Sequence, residues 1–212
     1  MKCDPILSFS DLICLNETWL KTDLVEEKWK MSGFELHLNS IGDGKGVATY
    51  FKPGIIKPDK DIKNPGAQIT LLTSAEVDVV NIYRSHGMNN KELAESLKGV
   101  LNPTKFTMIC GDLNLCYIEN RDNEVTRMLE QNGFAQLVHA ATHFKGGHID
   151  HVYSNHKPEE YQVDIKLYSP YYLADDHDAI LITIKHTPGK EVPHCGKYAA
   201  KRKVCSLTLI CI

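Results

Sequence analysis

Apolar residues in this chain fall mostly in short runs rich in β-branched side chains, bounded by Gly, Pro, Asn and Asp. That spacing predicts strands at Asp11 to Leu15, Val47 to Phe51, Ile69 to Thr73, Val77 to Tyr83, Phe106 to Cys110, Ile149 to Tyr153, Val163 to Tyr168 and Ala179 to Lys185. Helical spacing is rarer. Asn89 or Asn90 can cap a helix through Leu93, Leu97 and Val100, and Asn123 to Asn132 forms another, with Val125, Met128 and Leu129 inward and Gly133 just past its end. Gly42, Gly44 and Gly46 precede a strand, not a helix, and so predict a tight turn, not a phosphate-binding loop. After Thr187-Pro188-Gly189 the pattern dissolves. Residues 1–186 are therefore read as one domain and 187–212 as a C-terminal tail without a recognisable motif, whose last stretch, Leu207 to Ile212, is apolar enough to need a partner or a groove.

Composition supports a single enzyme-sized core: 42% of the 212 residues are hydrophobic, and there is no long low-complexity stretch. Seven Cys, an odd number without a CxxC pair, do not make a secreted disulfide framework, and Cys14 and Cys110 sit inside apolar strand patterns as small buried hydrophobes. With no leader pattern and no run of membrane-spanning length, the expectation is a soluble, intracellular, nuclear protein without membrane contact. A formal net charge of −3 lacks the basic footprint usual on DNA, although Lys185, Lys190, Lys197, Lys201, Arg202 and Lys203 give the C-terminal part a basic bias.

Four segments carry chemistry beside predicted strands: Leu15-Asn16-Glu17-Thr18, Gly111-Asp112-Leu113-Asn114, His148-Ile149-Asp150-His151 and Asp175-Asp176-His177-Asp178. Taken alone, Gly, Asp and Asn after a strand are ordinary chain-reversal residues. Together the four suit phosphodiester cleavage, which needs a hard cation, a base to activate water, and donors that hold the phosphate. Glu17 is a candidate ligand for Mg²⁺, which prefers one or two carboxylates and keeps several waters. His177 could contact the scissile phosphate or take a proton from water, with Asp150 fixing its tautomer; Asp112 would align or deprotonate the nucleophile; the Asn114 amide and the Tyr83 hydroxyl would donate to phosphate oxygens.

In chain order the segments ETWL, IYRS, GDLN, ATHFKGGHIDHVYS and DDH resemble the landmarks of the endonuclease/exonuclease/phosphatase superfamily, above all the apurinic-type endonuclease domains of non-LTR retrotransposons and related mobile elements. The likeness covers residues 6 to 186 or so. It implies a DNase-I-like α/β (α+β) fold, a four-layer sandwich of two mixed β-sheets flanked by helices with the site at one end. It also implies a DNA-nicking endonuclease that uses Mg²⁺, with Mn²⁺ as substitute, and binds the phosphate backbone of double-stranded DNA. By the same resemblance Glu17 and Asp176 are metal ligands, and His177, Asp112, Asn114, Asp150 and Tyr83 are catalytic. Asn114, Tyr83 and Thr142 contact the substrate.

Two departures stand out. Family members begin with a strand carrying an Asn that helps hold metal or phosphate, and nothing before Glu17 supplies it, so the fold is expected to lack its first strand and to leave a sheet edge exposed. Asp175 stands where the family has a serine, crowding a third carboxylate beside Asp176 and Asp178. These departures sustain one alternative, an inactive remnant acting as a binding protein, and the negative charge sustains a second, a hydrolase of small phosphoesters. A zinc cluster of His139, His143, His148, His151 and His156 is disfavoured, because strand alternation points Asp150 and His151 to opposite faces.

Overall fold

In the computed structural model the described residues are 7, 9–20, 29–41, 45–168, 177–187 and 206–211. The expected turn at Gly42 and Gly44, the carboxylates Asp175 and Asp176, and the tail lysines from Lys190 to Lys203 lie outside them. Twelve strands are described: β1 Leu12–Leu15, β2 Glu35–Ser40, β3 Gly46–Phe51, β4 Lys57–Asn64, β5 Ala67–Thr73, β6 Asp78–Arg84, β7 Thr107–Asp112, β8 Ala135–Gln136, β9 Asp150–Ser154, β10 Tyr161–Tyr168, β11 Ala179–His186 and β12 Ser206–Cys211. Helix α1 spans Asn90–Lys98 and α2 spans Glu124–Gln131. All eight expected strands and both helices form within a few residues of their expected bounds.

The helix ends follow local chemistry. Asn89 caps α1 by accepting from the Glu92 N–H, and Asn123 caps α2 by accepting from the Val125 and Thr126 N–H groups. Gly133 lies just beyond α2 at φ +80°, a conformation open to glycine at no steric cost.

The strands make two six-stranded mixed sheets, ordered β10-β11-β12-β1-β3-β2 and β4-β5-β6-β7-β9-β8. The sheets pack face to face over an apolar layer that includes Leu12, Cys14, Val79, Met108, Cys110, Val152, Ile182 and Leu209. Leu93, Leu97, Val125, Met128 and Leu129 of the helices seal the outer face of the second sheet against Val80, Ile82, Ile109 and Tyr153. On the outer face of the first sheet, Ile13, Tyr50 and Ile210 are covered by Leu7, Met31 and Phe34. Among the described residues no helix is long and apolar enough to cross a membrane.

One expectation is corrected. The edge of β1 is not exposed, and residues 206–211, read as tail, are a strand. β12 lies parallel to β1 with Leu12 opposite Leu209 and Cys14 opposite Cys211, and antiparallel to β11 with Ile182 opposite Leu209. The apolar stretch that called for a partner finds it in the chain's own sheet, because alternation sends Leu207, Leu209 and Cys211 into the layer between the sheets. Thus β1 has backbone partners on both sides, β12 and β3.

Candidate active site

Strand directions bring the chemistry-bearing residues to one end of the sandwich. β1 runs into Asn16 and Glu17, β6 carries Tyr83 near its end, and β7 ends on Asp112. β9 is antiparallel to β7, so its first residue, Asp150, pairs directly with Asp112. His177 precedes β11 and forms an isolated bridge with His143.

The backbone there is unusual. Among the described residues, non-glycine positions with positive φ are Glu17 (47°), Trp19 (55°) and Asn114 (47°), all in the loops that leave β1 and β7. Such conformations cost free energy and persist only where the surroundings over-determine them. Gly111, at φ +145°, is needed for a different reason: a Cβ there would lie 1.8 Å from the Ile82 carbonyl oxygen, so β6 and β7 can meet only at a glycine.

His177 Nδ1 is 2.9 Å from Asp150 Oδ2, and Asp150 is buried. This hydrogen bond, opposed by burial and reinforced by the charges of Asp150, Asp112 and Glu17, raises the His177 pKa above that of a free imidazole. Asp112 is pushed up to about 7, first by burial and then by the charge of Asp150; the Asn114 N–H and His177 oppose the shift, and Glu17 adds to it. The Tyr83 hydroxyl donates to the Glu17 carboxylate and thereby ties the second sheet to the first.

Two residues expected to contact substrate are engaged with protein partners here. The Asn114 amide does not face outward: its Nδ2 donates to Asp112 Oδ2 at 2.9 Å and to the Arg84 carbonyl at 2.8 Å, while its backbone N–H donates to Asp112 Oδ1 at 2.7 Å. Asn114 therefore orients the Asp112 carboxylate. Thr142 is 1% exposed; its hydroxyl accepts from the Asp150 N–H at 3.1 Å, and its carbonyl accepts from the Asp178 N–H at 2.8 Å. It braces the two residues that carry or flank the His177–Asp150 pair. Glu17, Tyr83, Asp112, Asp150 and His177 do converge, whereas Asp176 lies outside the described residues.

Two residues to which the sequence assigned no role belong beside the site. Arg84 is buried on the face of β6 opposite Tyr83; its Nη1 donates to the Leu113 and Asn114 carbonyls, each at 3.0 Å, and its Nη2 to Met88 O and to Asn90 Oδ1. It is a clamp on the Asp112–Asn114 loop. Asn16 points its Nδ2 at Cys211 Sγ, 3.7 Å away, and its Oδ1 is buried without a partner.

The donor chemistry bears on a cation. Among the described residues no group of three His, Cys, Asp or Glu side chains is arranged to hold a metal ion by itself. The His151 nitrogens, for their part, face Leu115 O at 2.7 Å and the Tyr153 hydroxyl at 3.4 Å. A small hard cation needs less, one or two carboxylates with water and substrate oxygens completing its shell. Glu17, with the unpartnered Asn16 oxygen on the neighbouring residue and, nearby, the Asp112 carboxyl pushed up by burial and then by the Asp150 charge, fits that requirement.

Comparison with known proteins agrees with this architecture. No curated protein matches the chain. Among solved structures, an AP endonuclease from Archaeoglobus fulgidus superposes with a TM-score of 0.60 at 17% identity, covering 81% of this chain and 87% of its own. The endonuclease domain of TRAS1, a telomere-specific non-LTR retrotransposon, gives 0.55 at 14% identity, covering 72% and 78%. The human Nocturnin catalytic domain gives 0.58 at 14% identity, covering 84% and 81%. At these identities the likeness is one of fold, the DNase-I-like sandwich. The family model described as "Endonuclease/Exonuclease/phosphatase family" matches residues 2–166, most of the chain. With its two mixed sheets and its acidic and histidine residues gathered at one end, the chain belongs to the endonuclease/exonuclease/phosphatase family.

Proposed function

We propose that this protein is a Mg²⁺-dependent phosphodiesterase that nicks DNA. The observation that carries the reading is the meeting of the His177–Asp150 pair with the buried Asp112 carboxyl at the end of the sandwich where Glu17 and Tyr83 also meet. Asp112 accepts a proton from the attacking water; a base with a pKa near 7 is well matched to that task at neutral pH. Asn114 holds its carboxylate in place through two hydrogen bonds, and Arg84 holds the loop beneath. His177, oriented by Asp150, which also favours its protonated form, faces the phosphate as a proton donor. Tyr83 exchanges its Glu17 partner for a phosphate oxygen when substrate arrives. Glu17 would hold the divalent cation, which when bound supplies charge neutralisation to the phosphate oxygens.

A nucleic-acid substrate draws support from the similar structures: one is a retrotransposon endonuclease domain, one an AP endonuclease, and one D. rerio TDP2 (13% identity, TM-score 0.53) complexed with single strand DNA product. The test is a supercoiled-plasmid nicking assay in Mg²⁺ and in Mn²⁺, with the Glu17→Gln and His177→Ala variants alongside. Nicking that both variants lose supports the reading. An intact plasmid with folded wild-type protein in both metals defeats it.

A further inference from the structure

Phe144 is a large apolar side chain left 64% exposed, and it is connected to the site by rings. The His143 ring stands edge-on to His177, with centroids 4.9 Å apart at 85°, and the Phe144 ring lies 4.9 Å beyond His143 at 38°. The Lys145 ammonium sits 5.2 Å from the Phe144 centroid. His177, His143, Phe144 and Lys145 thus form a continuous series from the candidate catalytic imidazole outward.

The turn that presents Phe144 is pinned. The Thr142 and His143 N–H groups both donate to the Gly147 carbonyl at 3.0 Å, Gly146 N–H donates to the His143 carbonyl at 2.8 Å, and Lys145 N–H donates to His143 Nδ1 at 3.2 Å. Gly146 takes φ +82°, which closes the turn. A backbone fixed in this way cannot fold the ring back into the core. The ring stays largely exposed, with the Lys145 ammonium over it and the His143 ring packed against it.

We propose that Phe144 is a stacking platform for an unpaired nucleobase beside the scissile phosphate, with Lys145 meeting the neighbouring phosphate; this rests on the nuclease reading above. Two ring-to-ring steps of 4.9 Å put Phe144 within the span of one or two nucleotides of a phosphate held at His177. A planar base stacks on an exposed aromatic ring, and the flexible Lys145 ammonium that lies over the ring swings off it to serve the strand's backbone charge. A base within an intact duplex has both faces covered by its neighbours, so the platform selects single-stranded or locally opened substrate.

The experiment compares two single-stranded oligonucleotides of equal length, one natural and one with tetrahydrofuran residues in place of the nucleotides flanking the scissile bond, in Mg²⁺ with the full chain. The expected result is that Phe144→Ala lowers kcat/KM on the natural strand by about tenfold or more. It should leave the base-free strand within about twofold, and Phe144→Trp should keep wild-type behaviour. Equal losses on both strands would overturn the platform while leaving the nuclease reading intact. If the wild type cleaves neither strand, the plasmid assay still decides the nuclease reading, and binding decides the platform. Quenching of a 2-aminopurine strand by the wild type but not by Phe144→Ala sustains it, and the same quenching with both proteins overturns it, as does no quenching with either.

Discussion

Asp112 stands at the centre of the site's electrostatics. Its folded pKa of about 7 lies above its ordinary value of 3.8, so the folded state binds the proton more tightly than the unfolded chain. The stability this provides is fully present below about pH 4 and is lost as pH rises through 7. His177, also raised, acts in the same direction: its contribution is present below 6.5 and fades as pH passes its folded value. In metal-free protein the Asp112 carboxyl carbon should titrate near pH 7, and Glu17→Gln should move that midpoint down by removing a repelling charge; a midpoint near 4 in the wild type would refute the crowding. Asp150→Asn, which takes the anchor from His177, should lower nicking by about 10²–10⁴-fold while the protein stays folded by circular dichroism. Gly111→Ala meets the Ile82 carbonyl and a left-handed backbone together, and should cost about 2–5 kcal/mol in urea unfolding.

The elements differ in how plainly the sequence announces them. Strands such as β6 and β7 carry short apolar stretches, Val79-Val80 and Met108-Ile109-Cys110, and are buried along their whole length, and the capped helices carry their signals within a few residues. β4 (KPDKDIKN) is almost entirely polar and takes its strand form from pairing with β5, as suits a charged edge with a register shift between Pro58 and Lys60. β12 was legible as apolar but not as a member of the sheet, because one of its two partners, β1, lies at the far end of the chain and alternation cannot reveal a register set by a distant strand. The site divides along similar lines. Identities and order pointed to Glu17, Tyr83, Asp112, Asp150 and His177, whereas the inward turn of Asn114 and the clamp by Arg84 depend on three-dimensional neighbours. For β12, Leu209→Ala should cost about 2–5 kcal/mol, since Leu209 packs between the sheets beside Leu12 and Ile182. Thr208→Ala, on the opposite face of the same strand, should stay within about 1 kcal/mol, and matching losses would show that burial between the sheets is not what holds β12.

At the scale of the whole molecule the site is a seam. Glu17 and His177 come from the first sheet and Tyr83, Asp112 and Asp150 from the second, so a cation held there fastens two layers that are otherwise joined at this end by hydrogen bonds such as Tyr83 to Glu17 and His177 to Asp150. Mg²⁺ at about a hundred times its dissociation constant should then add about 2.7 kcal/mol, a rise in Tm of roughly 5–10 °C, that Glu17→Gln abolishes. An equal rise in the variant would place the cation elsewhere.

The seating of β12 between β1 and β11 also orders events in time. Leu12 faces Leu209 across nearly the whole length of the chain, so the sheet that bears Glu17 cannot close when β1 leaves the ribosome and must wait until residue 211 has followed. Contacts between such remote segments form slowly, and until they form β1 and β11 lack the strand that joins them. A message cut short before codon 206 would therefore yield a protein whose second sheet and helices can be whole while the first sheet stays split beside Glu17, an aggregation-prone and inactive product rather than a shortened enzyme.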